Sequence, residues 1–289
     1  MIFRALDLGV TLFDTADVYP LPSPGLSEEI LGRALGSRRA DVVIATKFGL
    51  PMDPEKKTGG GSRAWTMAAA EGCLKRLGTD RIDLLQLHFP DRHTPVEETL
   101  RALDDLVRQG KVRYIGCSNM PGWELVHSLW ISEKNGLASF VSSQNQYSLL
   151  SRDVEPELGD ALRAYGLGLL PYFPLAGGFL SGKYRRGAEL PEGSRLTKSK
   201  QLRDMFVTDG YFEIVERLRP WCEARGLTLL ELAFRWLLAQ SVVPGVIAGA
   251  STPAQVEQNA KAVAGRLSPE DLAEIERVAD NTPHAFGAH

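Results

Sequence analysis

The sequence predicts an α/β fold, a parallel barrel of the (β/α)8 TIM type whose first strand-helix unit is incomplete. Short apolar runs rich in Val, Ile, Leu and Phe alternate with longer amphipathic segments along the chain, the pattern of strands joined by helical crossovers. The runs show little polar alternation, as strands buried on both faces of a parallel sheet do. With 289 residues and no composition break, one barrel domain spanning residues 1–289 is expected, since such barrels occupy about 250 residues.

The opening IFRALDLG reads as the end of a helix closed by Gly9. A helix ahead of the first strand has nothing to cross over from, which is why the first unit is expected to be incomplete. Strands are then predicted at VTLFDTA from Val10, VVIATK from Val42, DLLQLH from Asp83, VRYIGCSN from Val112, FVSSQNQ from Phe140, GLGLLPYF from Gly166 and PGVIAGA from Pro244. That is one strand short of the eight a closed barrel needs. The strand from Val10 would be an open edge that favours pairing with a second copy, a homo-oligomer. Helix starts are legible too. Thr94 reads as a cap, with Pro95 in the first helical position and Glu97 and Glu98 at the positive end. Val96, Leu100, Leu103 and Val107 form one buried stripe at helical spacing, and Gly110 ends it. Thr252-Pro253 and Ser268-Pro269 repeat the start signal.

A formal net charge of -3, with acids and bases interspersed, argues against a nucleic-acid partner. The pairs Arg38-Arg39 and Arg185-Arg186 read as solvated faces. Cys73, Cys117 and Cys222 are odd in number and widely spaced, so neither a metal site nor a disulfide framework is expected. A reducing, cytoplasmic compartment fits them best, and Cys117, in an apolar run, reads as a small buried hydrophobe. Nothing predicts a transmembrane helix, which needs about 18 or more apolar residues in a row. MIFRALDLG, with Asp7, does not read as a signal peptide.

Polar residues stand at the C-terminal ends of the predicted strands: Asp14 and Tyr19 in LFDTADVY, Lys47 in IATKFG, His88 in LQLHFPD. In a parallel barrel these ends share the face where active sites form. An acid, a lysine, a tyrosine and a histidine gathered there make a proton-transfer group, because a nearby ammonium favours the phenolate of an otherwise weakly acidic tyrosine. Taken singly, Asp14 reads as a turn cap, Lys47 as half of a structural ion pair, Tyr19 as a surface aromatic and His88 as a satisfied core histidine. Phe89, Met120 and Trp123 follow strand ends and read equally well as an apolar pocket lining or as loop packing.

FDTADVY with the downstream SEEILG, then ATKFG, LGTDRIDLLQLHFPD, GKVRYIGCSN, SSQNQYSLL, PYFPLAGGFLSGKY and GASTPAQVEQN together resemble the aldo-keto reductase family, from about Leu8 to about Val263. The branch they resemble is the bacterial reductases related to potassium-channel β subunits. The resemblance implies a catalytic tetrad of Asp14, Tyr19, Lys47 and His88, with the family's spacing of five between Asp14 and Tyr19. It implies NADPH-dependent reduction of a small aldehyde or ketone. Ser118 and Asn119, with Gln144, would hold the nicotinamide carboxamide, and Tyr172 would stack on its ring. Leu175, Gly177 and Gly178 would let backbone approach the pyrophosphate, with Lys183 adding positive charge. Gly249, Ser251, Gln255 and Asn259 would take the adenosine phosphate end, and Arg195 in EGSRL the 2'-phosphate. Without the resemblance, AGASTP is only a helix cap and the Gly-Gly pair only a turn.

Two features depart from the family pattern. Tyr19 is followed by PLPSPG instead of a short glycine-rich link, and the family's opening hairpin and first strand have no counterpart ahead of Val10. Three other readings follow. A nucleotide-binding regulatory subunit would hold nucleotide with negligible turnover, and a truncated reductase would be inactive. A barrel lyase would use Lys47 as a Schiff-base former but leaves SQNQ and GASTPAQVEQN unexplained.

Overall fold

The computed structural model describes residues 1–53 and 58–279. Helix α1 (Ile2–Asp7) precedes β1 (Leu12–Asp14), as the opening IFRALDLG predicts. Then come α2 (Leu26–Leu35), β2 (Val43–Phe48), α3 (Arg63–Leu77), β3 (Ile82–Leu87), α4 (Val96–Arg108), β4 (Val112–Ser118), α5 (Gly122–Asn135), β5 (Phe140–Gln146), α6 (Asp160–Tyr165) and β6 (Gly168–Tyr172). The strands form one sheet in sequence order, β1-β2-β3-β4-β5-β6, so among the described residues β1 has a strand partner on one side only. Each neighbouring pair from β1 to β5 is parallel. Parallel strands alternating with helices make this the expected α/β class.

The chain then turns helical: α7 (Arg195–Lys198), α8 (Lys200–Phe206), α9 (Asp209–Glu223), α10 (Leu229–Leu238), α11 (Pro253–Ala262) and α12 (Pro269–Ala279). The seventh predicted strand, PGVIAGA from Pro244, does not form, and no strand of the described residues pairs with it. Pro244 lacks a ladder donor, Gly245 and Gly249 offer no side chain to pack, and an extended run becomes a strand only where a neighbour supplies hydrogen bonds.

Contacts divide the chain into two compact units, Met1–Asn145 with Glu155–Leu170, and Gln146–Val154 with the chain from Pro171 onward. In the first, all six residues of β3 are buried, as a strand covered on both faces requires. Ile44, Phe48, Leu85, Leu87 and Ile115 of the sheet and Leu31, Leu77, Leu100, Leu103 and Leu125 of the helices are buried in its core. In the second, Val215, Leu218, Leu232, Phe234, Trp236 and Ile275 are buried. Thr228 and Glu231 close the start of α10 with a reciprocal capping box.

Local signals mostly hold. Thr252 caps α11 by accepting from the Gln255 amide, with Pro253 in the first turn. Ser268 and Asp271 cap α12 reciprocally, each backbone amide donating to the other's side chain at 3.1 Å. On α4, Leu100 and Leu103 are buried, Val96 and Val107 half-buried, and Ala102 and Leu106 widen the face. Gly110, at φ 72°, turns the chain so that the Lys111 amide reaches the Leu106 carbonyl at 3.1 Å. Thr94 is a correction. Pro95 occupies the cap position, and the Thr94 hydroxyl donates to Asp91 Oδ2 at 2.7 Å, because a carboxylate is the stronger acceptor. Arg39 is another. Only Arg38 is solvated, while Arg39 turns inward to Asp83 Oδ2 at 2.7 Å and donates to the Val42 and Arg81 carbonyls.

Gly32 fixes how closely α2 approaches α3. A methyl group there would lie 2.2 Å from the Leu77 carbonyl oxygen. Gly32→Ala is therefore expected to destabilise the chain by about 1–3 kcal/mol, against alanine's better helix propensity. A urea midpoint at or above the parent's would refute this close approach.

Candidate active site

Asp14 closes β1, Lys47 is the penultimate residue of β2, and His88 directly follows β3. Parallel register sets Asp14 beside Ala45 and Lys47 beside Gln86, so the three C-terminal ends lie together. Tyr19 stands on the loop between β1 and α2.

Lys47 is buried, and its ammonium donates to Asp14 Oδ2 at 2.6 Å and to the Thr15 carbonyl at 2.9 Å. The other carboxylate oxygen, Asp14 Oδ1, accepts from Gln144 Nε2 at 2.9 Å and Gln86 Nε2 at 3.3 Å. A buried ion pair is tolerable only when its remaining lone pairs are also satisfied, and the two glutamines satisfy them. The Lys47 ammonium lies 5.4 Å from the centroid of the Tyr19 ring. His88 meets that ring edge-on, at 5.8 Å between centroids and 84° between planes. Tyr19 remains partly exposed, at 39%.

His88 is buried, and its Nδ1 has no hydrogen-bond partner. Burial, reinforced by the Lys47 charge, pushes its pKa down to about 3, so the imidazole is neutral at physiological pH. Phe89 stacks on it at 5.5 Å while remaining exposed. Met120 is buried, its sulfur accepting from the Ser128 hydroxyl of α5, whereas Trp123 is exposed.

Ser118, Asn119 and Gln144 converge beside this group. The Ser118 hydroxyl donates to the Gln144 carbonyl at 2.7 Å. Asn119 Nδ2 donates to the His88 carbonyl and to Ser118 Oγ, both at 3.0 Å. Asn119 has φ 58°, a left-handed conformation that asparagine tolerates better than most residues.

The second unit holds the other predicted nucleotide contacts. Tyr172 is half-buried, edge-on to Phe173 at 5.3 Å, and Leu175 is half-buried. Gly177 takes φ 66°, and a Cβ there would sit 2.6 Å from the Phe206 ring, so only glycine fits. Lys183 and Arg195 are exposed cations, lying over the Tyr184 ring at 5.1 Å and the Phe173 ring at 4.9 Å. Gly249, Ser251 and Gln255 are exposed at the start of α11, with Asn259 half-buried one turn on. Gln255 Oε1 accepts from both the Ser251 amide, at 2.7 Å, and its hydroxyl, at 2.9 Å.

A sequence model of the aldo/keto reductase family matches residues 1–280. The chain belongs to that family. Relatives include a probable voltage-gated potassium channel subunit beta from Oryza sativa subsp. japonica, 37% identical over 286 residues, which cover 96% of this chain and 85% of that protein. An L-glyceraldehyde 3-phosphate reductase from Escherichia coli is 35% identical over 290 residues, covering 95% and 81%. A versiconal hemiacetal acetate reductase from Aspergillus parasiticus is 33% identical over 297 residues, covering 96% and 84%.

Two features of this aldo/keto reductase chain escaped the sequence reading. Gln86 joins the Asp14 carboxylate, and it was signalled as the one polar residue inside the apolar run LLQL, two positions before His88 and so on the same strand face. Gln144 donates to Asp14 as well as standing beside Ser118, a dual position that periodicity does not reveal. Among the described residues no group of three or more His, Cys, Asp or Glu could hold a metal ion, and none of their helices is long and apolar enough to cross a membrane.

Proposed function

We propose that this aldo/keto reductase family member reduces an aldehyde or ketone to the alcohol with NADPH, using Tyr19 as general acid. The observation that carries the reading is the buried Lys47–Asp14 pair beside the Tyr19 ring, with a neutral His88 at that ring's edge. The donor chemistry present suits a nicotinamide dinucleotide. Exposed Lys183 and Arg195 match phosphate charge, and the amide-rich start of α11 suits an anion. Ser118, Asn119 and Gln144 offer amide and hydroxyl groups for the carboxamide, Tyr172 an aromatic face, and Leu175, Gly177, Gly249, Ser251, Gln255 and Asn259 the remaining contacts.

NADPH, when bound, supplies the hydride. The chain's own residues manage the proton and the charge. Tyr19 donates its phenolic proton to the carbonyl oxygen as negative charge builds there. Lys47 stabilises the phenolate left behind, and the Asp14 carboxylate, held by Gln86 and Gln144, fixes Lys47. Neutral His88 keeps an N–H with which to orient the carbonyl oxygen, and its burial ensures that it does not compete as an acid.

Arg195 tests the nucleotide preference. Its guanidinium is already held against an aromatic face, a preorganised cation for a 2'-phosphate. Arg195→Ala is expected to raise the Kd for NADPH by about tenfold or more, from the ~1.5–3 kcal/mol of a charged hydrogen bond, and to leave NADH nearly unchanged. Titration of both nucleotides by tryptophan fluorescence measures this, and equal Kd values for the two on the parent chain would refute the preference. A regulatory-subunit reading draws support from the relative named as a channel subunit. It gains if the parent binds NADPH but reduces no aldehyde. The three buried free cysteines support a reducing, cytoplasmic setting for either reading.

A further inference from the structure

The loop that carries Tyr19 is built around a carboxyl group that the proposed chemistry does not use. Asp17 lies two residues before Tyr19, and its amide donates to the Lys47 carbonyl at 3.0 Å. Its side chain is completely buried, and neither carboxylate oxygen meets a donor in hydrogen-bonding geometry. Glu28 of α2, also completely buried, faces it. Glu28 accepts from Thr46 Oγ1 and from Arg76 Nε, each at 2.6 Å. Arg76 and Cys73 come from α3, and Lys47 from β2.

Charge does not balance around Asp17. The Arg76 guanidinium is committed to Glu28 and the Lys47 ammonium to Asp14. An ionised Asp17 would therefore be a buried charge with no counterion of its own, which a protein avoids by keeping the group neutral. Burial first, and the Glu28 charge second, push the Asp17 pKa from 3.8 to about 7; Arg76, the Val18 amide and Lys47 oppose this without cancelling it.

We propose that Asp17 is a positioning residue for Tyr19: as a neutral acid it keeps the β1–α2 loop seated, and its ionisation loosens that loop. The proposal rests on the reading of Tyr19 as the acid, yet its principal test does not need turnover. The seated loop binds a proton that the unseated loop releases above pH 3.8. Seating is therefore strongest at acid pH, weakens as pH rises toward about 7, and weakens no further above it.

Hydrogen exchange of a peptide covering residues 15–26, measured on the full chain from about pH 5 to about pH 8 and corrected for intrinsic rate, reads this directly. Parent protection is expected to fall by up to about tenfold per pH unit below neutrality, while Asp17→Asn stays flat. The kcat ratio of parent to Asp17→Asn should fall over the same range, with KM little changed. Glu28→Gln removes the neighbouring carboxylate and frees Arg76 to pair with ionised Asp17, so its loop should lose less protection than the parent's and stop losing it at lower pH. This second variant decides the matter if Asp17→Asn does not fold. Superimposable exchange profiles for parent and either folded variant would overturn the proposal. If no chain reduces an aldehyde, the reductase reading fails by itself and the exchange data still decide what Asp17 does.

Discussion

Replacing Tyr19 by Phe is expected to lower the turnover of a simple aldehyde by about 10²–10⁴-fold, the usual contribution of a positioned general acid. The change removes one oxygen and keeps the ring, so the edge-on contact with His88 and the ammonium beside the ring should survive. NADPH binding should stay within about twofold of the parent, since no donor proposed for the nucleotide is touched. Steady-state rates and a fluorescence titration on the same two proteins separate chemistry from binding. Equal rates in parent and variant would remove Tyr19 from the mechanism. A parent that binds NADPH yet reduces nothing would shift the balance to the regulatory reading.

Lys47→Met should have the larger effect on stability. Lys47 is 1% exposed and Asp14 only 8%, so deleting the ammonium strands a buried carboxylate with two amide donors and no cation. Breaking such a pair costs about 3–5 kcal/mol, read as a drop in the urea midpoint at constant m. Turnover should fall as well, because the phenolate left by proton transfer loses its cationic neighbour. The double variant, Asp14→Leu with Lys47→Met, distinguishes the two losses. Replacing both partners of a buried pair by apolar groups is often neutral, so stability should largely return while turnover does not. A double variant as unstable as the single one would mean that the site depends on Asp14 for more than holding Lys47, through Gln86 and Gln144.

The alternation of apolar runs with amphipathic segments was enough to determine six of the strands, the helices between them and the α/β class, because burial on both faces writes itself into composition. The strand ends also put forward Asp14, Tyr19, Lys47 and His88 as candidates, since each alone has a structural reading but four complementary groups at successive ends of one sheet do not. Composition stopped short at PGVIAGA, where a β-like run lacks a neighbour, and at Thr94, where a distant carboxylate takes the hydroxyl. Only the tertiary structure decided what surrounds each side chain. Gln86 and Gln144 are 58 residues apart in sequence yet share one carboxylate. Glu28 and Arg76, 48 residues apart, pair with each other and leave Asp17 without a counterion. Periodicity fixes which face of an element a residue occupies, but charge balance depends on every element that closes over that face, and that is settled only when the chain folds.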